Sequence, residues 1–170
     1  MNAPDIILRA MEPEDADFLY DVENDVGAWG DGDTVAPYSR EILRGYALTY
    51  GADPFGEGQL RLVAEDPATR KTVGVADLYD ISQRHERAFV AVYVVKEERN
   101  RGYASSMLES LEKYAREILL LKNLGAKVAS GNKASLHLFR KEGYREAGIL
   151  EGWLKRANGF TDVILFQKKL

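Results

Sequence analysis

Val94-Val95-Lys96-Glu97-Glu98-Arg99-Asn100-Arg101-Gly102-Tyr103-Ala104-Ser105 joins an apolar run to a long amphipathic segment, and the join decides how the chain folds. Upstream, Ala88 to Val95 is apolar and β-branched, the composition of a buried central strand. Downstream, Ala104, Met107, Leu108, Leu111, Tyr114, Ala115 and Ile118 recur at three- and four-residue spacing, the pattern of a helix packed on a sheet. The turn between them carries Arg99, Arg101 and Gly102. A helix N-terminus leaves several backbone N–H groups unpaired and carries about half a positive charge, so an anion there gains hydrogen bonds and dipole attraction together. Gly102 lets a ligand approach the backbone, Ala104 keeps the first turn uncrowded, and the two arginines add formal charge. Taken alone the pattern also fits a solvated basic turn.

Working outward, Ile6 to Arg9 reads as a short first strand. Glu12-Pro13-Glu14-Asp15 supplies proline and acidic residues where a helix N-terminus favours them, with the helix running to about Asn24. Gly27 to Pro37, with Gly27, Gly30, Asp31, Gly32, Asp33 and Pro37, has the composition of a loop, and Ser39 caps a second helix through about Tyr50. Gln59 to Glu65 and Thr72 to Ile81 are strands around an Asp66-Pro67 turn, and with Ala88 to Val95 they form a meander of three. After the long helix come a short strand at Ala126 to Ala129 and a helix from Asn132 to Lys141 ended by Gly143. Gly148 to Lys155 pairs with Phe160 to Gln167 across Ala157-Asn158-Gly159 as a hairpin. No linker, repeat or low-complexity tract interrupts the series, so a single domain over 1–170 is expected.

At 170 residues the chain can bury roughly two-thirds of the surface its unfolded form exposes. The absence of cysteine removes disulfides, thiolate metal sites and cysteine nucleophiles, and no metal is expected. The first residues lack the basic region and apolar run of a leader, and no apolar stretch approaches the length of a membrane span. The reading is a soluble, cytoplasmic protein. A net charge of -4 argues against nonspecific nucleic-acid binding, which needs clustered uncompensated Lys and Arg, and tilts toward a cationic substrate. No Gly-Lys-Ser/Thr loop and no Gly-x-Gly-x-x-Gly is present, so a nucleotide-binding module is a poor reading of the Gly102 turn.

The order strand, Arg99-Asn100-Arg101-Gly102-Tyr103-Ala104, long helix, short strand, then Gly131-Asn132-Lys133-Ala134-Ser135-Leu136-His137-Leu138-Phe139-Arg140-Lys141-Glu142-Gly143-Tyr144 resembles the GNAT superfamily of N-acetyltransferases. Leu19-Tyr20-Asp21-Val22-Glu23-Asn24 extends the likeness to the branch containing spermidine and ribosomal-protein N-acetyltransferases. The resemblance covers essentially the whole chain. It implies an α/β fold with a mixed, mostly antiparallel central sheet flanked by helices, and acetyl-CoA as cosubstrate. It further implies that the pyrophosphate sits on Arg99, Asn100, Arg101, Gly102, Tyr103, Ala104 and Ser105. The pantetheine arm would lie beside Val92, Tyr93 and Val94 where two strands splay apart. Asn132 stands where relatives set an asparagine against that arm, although asparagine is also among the best helix N-caps.

Phe139 departs from the pattern, because many relatives carry there a tyrosine whose hydroxyl is thought to protonate the departing thiolate. Three readings follow: another hydroxyl such as Tyr93 or Tyr103 serves, water serves, or the chain is a noncatalytic acyl-CoA-binding or regulatory module. A thiol pKa of about 8.5 makes the thiolate a fair leaving group, which favours a working enzyme. Phe139→Tyr should then raise turnover modestly. An alkyl amine has a pKa near 10.4, so a group must accept its proton before attack. Glu23, Asp25, Asp77 and Glu151 are the acidic candidates, and spacing raises none above the others. His85 and His137 read as structural or solvated. The implied acceptor is a small amine, polyamines included, or a peptide N-terminus. A homodimer or higher homo-oligomer is compatible with all of this.

Overall fold

The computed structural model describes residues 4–29, 34–51 and 53–170. Seven strands form one sheet in the order β1-β2-β3-β4-β5-β7-β6. They are β1 Ile7–Arg9, β2 Gln59–Asp66, β3 Lys71–Ser82, β4 Arg87–Val94, β5 Asn123–Ala129, β6 Arg145–Arg156 and β7 Gly159–Lys169. Every pairing is antiparallel except β4 with β5. A turn of 3-10 helix at Pro13–Asp15 leads into α1 Ala16–Glu23, followed by α2 Val26–Trp29 and α3 Arg40–Thr49. The long helix is α4 Tyr103–Glu117 and the last is α5 Lys133–Lys141. Among the described residues no helix is long and apolar enough to cross a membrane.

Strand register sorts the side chains into two faces. Val63 pairs with Val75 and Val75 with Tyr93, while Arg61 pairs with Asp77 and Asp77 with Ala91, so these six share one face. That face carries a small core in which Val63 and Val75 meet Leu19 and Val22 of α1 and Leu43 and Ala47 of α3. The opposite face holds the main core, where Met107, Leu108 and Leu111 of α4 and Phe139 of α5 pack with Leu62, Ala76, Val90, Leu124 and Phe166. The apolar spacing read along α4 is this burial, with Met107, Leu108, Leu111 and Ala115 fully enclosed.

Local chemistry explains most boundaries. The Ser39 hydroxyl accepts the Ile42 N–H at 3.2 Å, capping α3. Asp15 accepts the Glu12 N–H at 2.8 Å and two bonds from Arg9, fixing the entry to α1. Three expectations change. Val26–Trp29 is a helical turn rather than loop, held by the Asp25 carboxylate on the Gly27 N–H and by the Trp29 indole N–H on the Glu23 carbonyl; Gly30, Asp31, Gly32 and Asp33 lie outside the described residues. β5 starts at Asn123 rather than Ala126 because Asn123 and Leu124 pair with Arg87 and Ala88, partners remote in sequence. β4 is central but not enclosed on both faces: Ala88, Val90 and Val94 are buried while Ala91 is exposed.

Candidate active site

β4 and β5 pair at only three rungs, Arg87 with Asn123, Ala88 with Leu124 and Phe89 with Gly125. Beyond them Val90 to Val94 keep their ladder to β3, and Ala126 to Ala129 keep theirs to β7, with no rung between the two. The sheet therefore opens in its middle, leaving backbone groups on facing edges that an extended ligand arm can pair with. Gly125 stands at the last rung, where a Cβ would come within 2.7 Å of the Phe89 ring. A side chain there would push Phe89 away and disturb the point from which the strands diverge.

At the open end of β4 the chain turns through Lys96–Glu98, a 3-10 turn, into α4. Asn100 has φ 62° and Gly102, the N-cap of α4, φ 91°. This left-handed geometry carries little cost for glycine and strains a β-branched residue. The Ser105 and Ser106 N–H groups bond the Gly102 carbonyl. Helix geometry leaves those of Gly102, Tyr103 and Ala104 directed out of the first turn, a donor set suited to a pyrophosphate. Arg99 donates its Nε–H to the Val94 carbonyl at 2.9 Å and spreads over the Tyr93 ring at 5.4 Å. Arg101 and Lys71 both bond Glu98, whose carboxylate is buried. Chiefly Lys71, and then Arg101, hold that carboxyl below its ordinary range against burial. The arginines thus brace the turn through one end while remaining exposed at the other. Lys141 brings a further ammonium to the same place, 2.9 Å from the Ser105 hydroxyl.

On the face carrying α1 and α3, a cavity of about 330 Å³ lies over Ala91. Glu23 from α1, Arg61 from β2 and Asp77 from β3 meet in it, with Tyr38, Tyr46 and Tyr79 around them. Arg61 holds Asp77 through two bonds, Nε to Oδ1 at 2.7 Å and Nη2 to Oδ2 at 3.0 Å, and donates from Nη1 to Glu23 Oε1. Burial works against the guanidinium charge, but Asp77 and Glu23 more than offset it, so Arg61 stays cationic with its pKa above the ordinary value. Burial pushes the Tyr46 phenol up to about 12.

The acidic candidates separate. Glu23 and Asp77 share the cavity, and Asp25 does not: its carboxylate receives Lys96 Nζ and the Tyr93 hydroxyl, each at 2.9 Å. Lys96 leads in holding it below its ordinary range. Glu151 is exposed on β6, and His85 and His137 are exposed as well. Of the phenols, Tyr103 is buried and gives its proton to Asp66 at 2.6 Å, which with burial pushes it up to about 12. Tyr93 is pushed up to about 12 by burial and then by Asp25. Phe139 is only 5% exposed, stacked on Phe166 and edge-on to Tyr144. Asn132 accepts the Ser135 N–H at 3.1 Å as the cap of α5.

Sequence reading overlooked Arg61, Tyr38, Tyr46 and Lys141. A signal for Arg61 was present: in Gln59-Leu60-Arg61-Leu62 and Ala76-Asp77-Leu78-Tyr79 the polar residues alternate with apolar ones. Pairing the two strands about the Asp66-Pro67 turn sets Arg61 opposite Asp77.

Residues 5–145 match the family model described as an acetyltransferase (GNAT) domain. The chain belongs to the GNAT acetyltransferase family. It is 28% identical over 86 residues to an uncharacterized N-acetyltransferase, YoaA, of Bacillus subtilis, spanning 51% of this chain and 49% of that protein, about half the relative's length. It is 26% identical over 148 residues to the spermidine N(1)-acetyltransferase of Vibrio cholerae, covering 85% of this chain and 82% of the relative. The crystal structure of a spermidine N-acetyltransferase from Vibrio cholerae in complex with CoA and spermine superposes with a TM-score of 0.86 at 23% identity, covering 96% and 95% of the two chains. A dodecameric structure of a spermidine N-acetyltransferase from the same organism gives 0.79 at 23% identity over 96% and 93%. These establish the GNAT fold expected from the sequence, a mostly antiparallel sheet flanked by helices.

Proposed function

We propose that this GNAT protein, a single domain over 1–170, transfers the acetyl group of acetyl-CoA directly to a primary amine of a small cationic molecule. The observation that carries this reading is the adjacency of the two halves of the site. The β4–β5 opening, bounded by the Gly102 turn, and the acidic cavity share β4, and Ala91, which lines the cavity, pairs directly with Asp77.

In this reading the N–H groups of the first turn of α4, with Arg99, Arg101 and Lys141 beside them, hold the pyrophosphate. The free edge of Val92 to Val94 holds the pantetheine arm, and main-chain N–H groups at that edge steady the oxyanion that forms when the amine adds to the thioester carbonyl. The amine arrives as an ammonium and must lose a proton before attack. Glu23 and Asp77 are the carboxylates placed to take it, directly or through water, and Arg61 fixes their orientation. The Tyr93 and Tyr103 hydroxyls already donate to Asp25 and Asp66, so in this reading the thiolate leaves unprotonated or takes a proton from water.

The cavity volume suits a small amine better than a folded chain terminus, and the likeness to a spermidine acetyltransferase supports the same class. The dodecameric relative supports a homo-oligomer, and we place the protein in the cytoplasm. The test is titration calorimetry with acetyl-CoA, followed by thiol release with a panel of amines and short peptides. Micromolar binding and amine-dependent thiol release are expected. Binding without release would mean a noncatalytic acyl-CoA-binding module, and no binding at hundreds of micromolar would refute the site.

A further inference from the structure

The β4–β5 opening has a lysine on its β5 side. Lys127 is the second residue of β5 beyond the last rung, Phe89 with Gly125. Alternation from Gly125 puts its side chain on the face of Phe89, Ala91 and Tyr93, where the acceptor cavity lies. Its ammonium is 4.6 Å from the centre of the Phe89 ring and 5.9 Å from that of Tyr79, two rings that stack at 5.6 Å. Tyr79 also lines the cavity. Other cations around the opening are committed: Lys96 bonds Asp25, Lys71 and Arg101 bond Glu98, and Lys141 reaches Ser105 and Glu142. Lys127 is exposed, and among the described residues no carboxylate pairs with it. Ring faces hold an exposed ammonium only weakly, so the flexible four-carbon stem is free to swing.

We propose that Lys127 is a self-acetylation site, the chain's own amine that takes the acetyl group of bound acetyl-CoA in the absence of an acceptor. This rests on the acetyltransferase reading. In that reading the arm enters from the Gly102 turn along the free edge of Val92 to Val94, which turns its reacting end toward the closed end of the opening, where Lys127 stands. Lys127 Nζ gives one proton to solvent and adds to the thioester carbonyl carbon. A C–N bond forms, the C–S bond breaks with its electron pair going to sulfur, and the nitrogen's second proton passes to solvent. The products are the CoA thiolate and an Nε-acetyl-lysine amide. A tethered amine needs no encounter, so the reaction depends on how often the stem brings it to the carbonyl rather than on concentration. The step removes one positive charge from the rim of the acceptor cavity.

The experiment uses the full chain at about pH 8, where a fraction of alkyl amines is neutral, with acetyl-CoA and no amine, read by peptide mass spectrometry. Lys127 is expected to gain one acetyl group at least about tenfold faster than Lys113, an exposed lysine of α4 on the opposite face of the sheet. Excess CoA, which takes the same opening without an acetyl group, should suppress the label on Lys127 and leave that on Lys113 unchanged. Lys127→Arg keeps the charge without the acetylatable amine, and should lose the excess label at an unchanged melting temperature. A further readout involves no acetyl transfer: succinic anhydride should label Lys127 in the free protein, and saturating CoA should slow that labelling at Lys127 but not at Lys113. Equal acetylation of the two lysines, a label on Lys127 that CoA does not suppress, or succinylation of Lys127 indifferent to CoA would overturn the proposal. If amines release thiol from acetyl-CoA in the same protein, the acetyltransferase reading stands without it; if calorimetry shows no binding of acetyl-CoA, both fall.

Discussion

At the end of β4 the Gly102 turn offers main-chain N–H groups aimed by helix geometry, whereas the cavity over Ala91 offers Arg61, Asp77 and Glu23, side chains brought from β2, β3 and α1. The first depends on a backbone conformation and is sensitive to whatever disturbs φ at residue 102. The second depends on a balance of charges that pay for one another's burial, and is sensitive to the loss of any one. A backbone site can therefore lose affinity while the fold stands, and a charge-balanced site loses stability and acceptor binding together.

The largest effect should come from the cavity. Replacing Arg61 by leucine strands Asp77 and Glu23 in a partly enclosed space, and breaking such a pair costs about 3 kcal/mol. Urea denaturation should register that loss while acetyl-CoA affinity, measured by calorimetry, stays within a factor of about 2. A parallel collapse of affinity would mean that the two halves are one energetic unit and would break the comparison.

Phe139→Tyr addresses whether the donor half needs a side-chain acid. The sequence suggested a modest gain in turnover, but the ring packs against Tyr144 and Phe166, and a hydroxyl left unpaired in that buried cluster costs roughly 1 to 3 kcal/mol. The expected result is a lower melting temperature with kcat unchanged. A rise in kcat would show that the ring faces the thioester after all.

Gly102→Val sharpens the contrast from the other side. With φ at 91° a β-branched residue must reshape the turn, and acetyl-CoA affinity should fall by more than about tenfold, about 1.4 kcal/mol. Calorimetry giving an unchanged affinity in the folded variant would place the cofactor elsewhere.

The smallest effect belongs to a charge outside both halves. Burial works against the Asp15 carboxylate, but bonds from Arg9 and from the Glu12 N–H more than offset it and hold its pKa below 3.8. Because the folded pKa is the lower one, its contribution is complete above that value and is lost as pH falls through the folded pKa. Urea midpoints measured from pH 5 downward should decline less steeply in Asp15→Asn. Identical slopes would mean that Asp15 adds nothing to acid stability.

The sequence by itself determined the Gly102 turn and the helices that flank it. The Arg99 to Ser105 turn, the apolar spacing of α4 and the Asn132 cap are local: each feature lies within a few residues of the next, so helix propensity, capping and glycine geometry specify them without reference to the rest of the chain. The meander of three strands and the terminal hairpin were legible for the same reason, since a turn joins neighbours. Only the tertiary structure decided where β4 and β5 part company, because their three rungs join residues more than thirty positions apart. It alone gathered Glu23, Arg61 and Asp77 while leaving Asp25 and Glu151 apart, and it committed the Tyr93 and Tyr103 hydroxyls to carboxylates remote in sequence. Charge balance in a cavity is a sum over groups from separate elements. No local propensity encodes such a sum, and the packing of α1 and α3 on the sheet is what evaluates it.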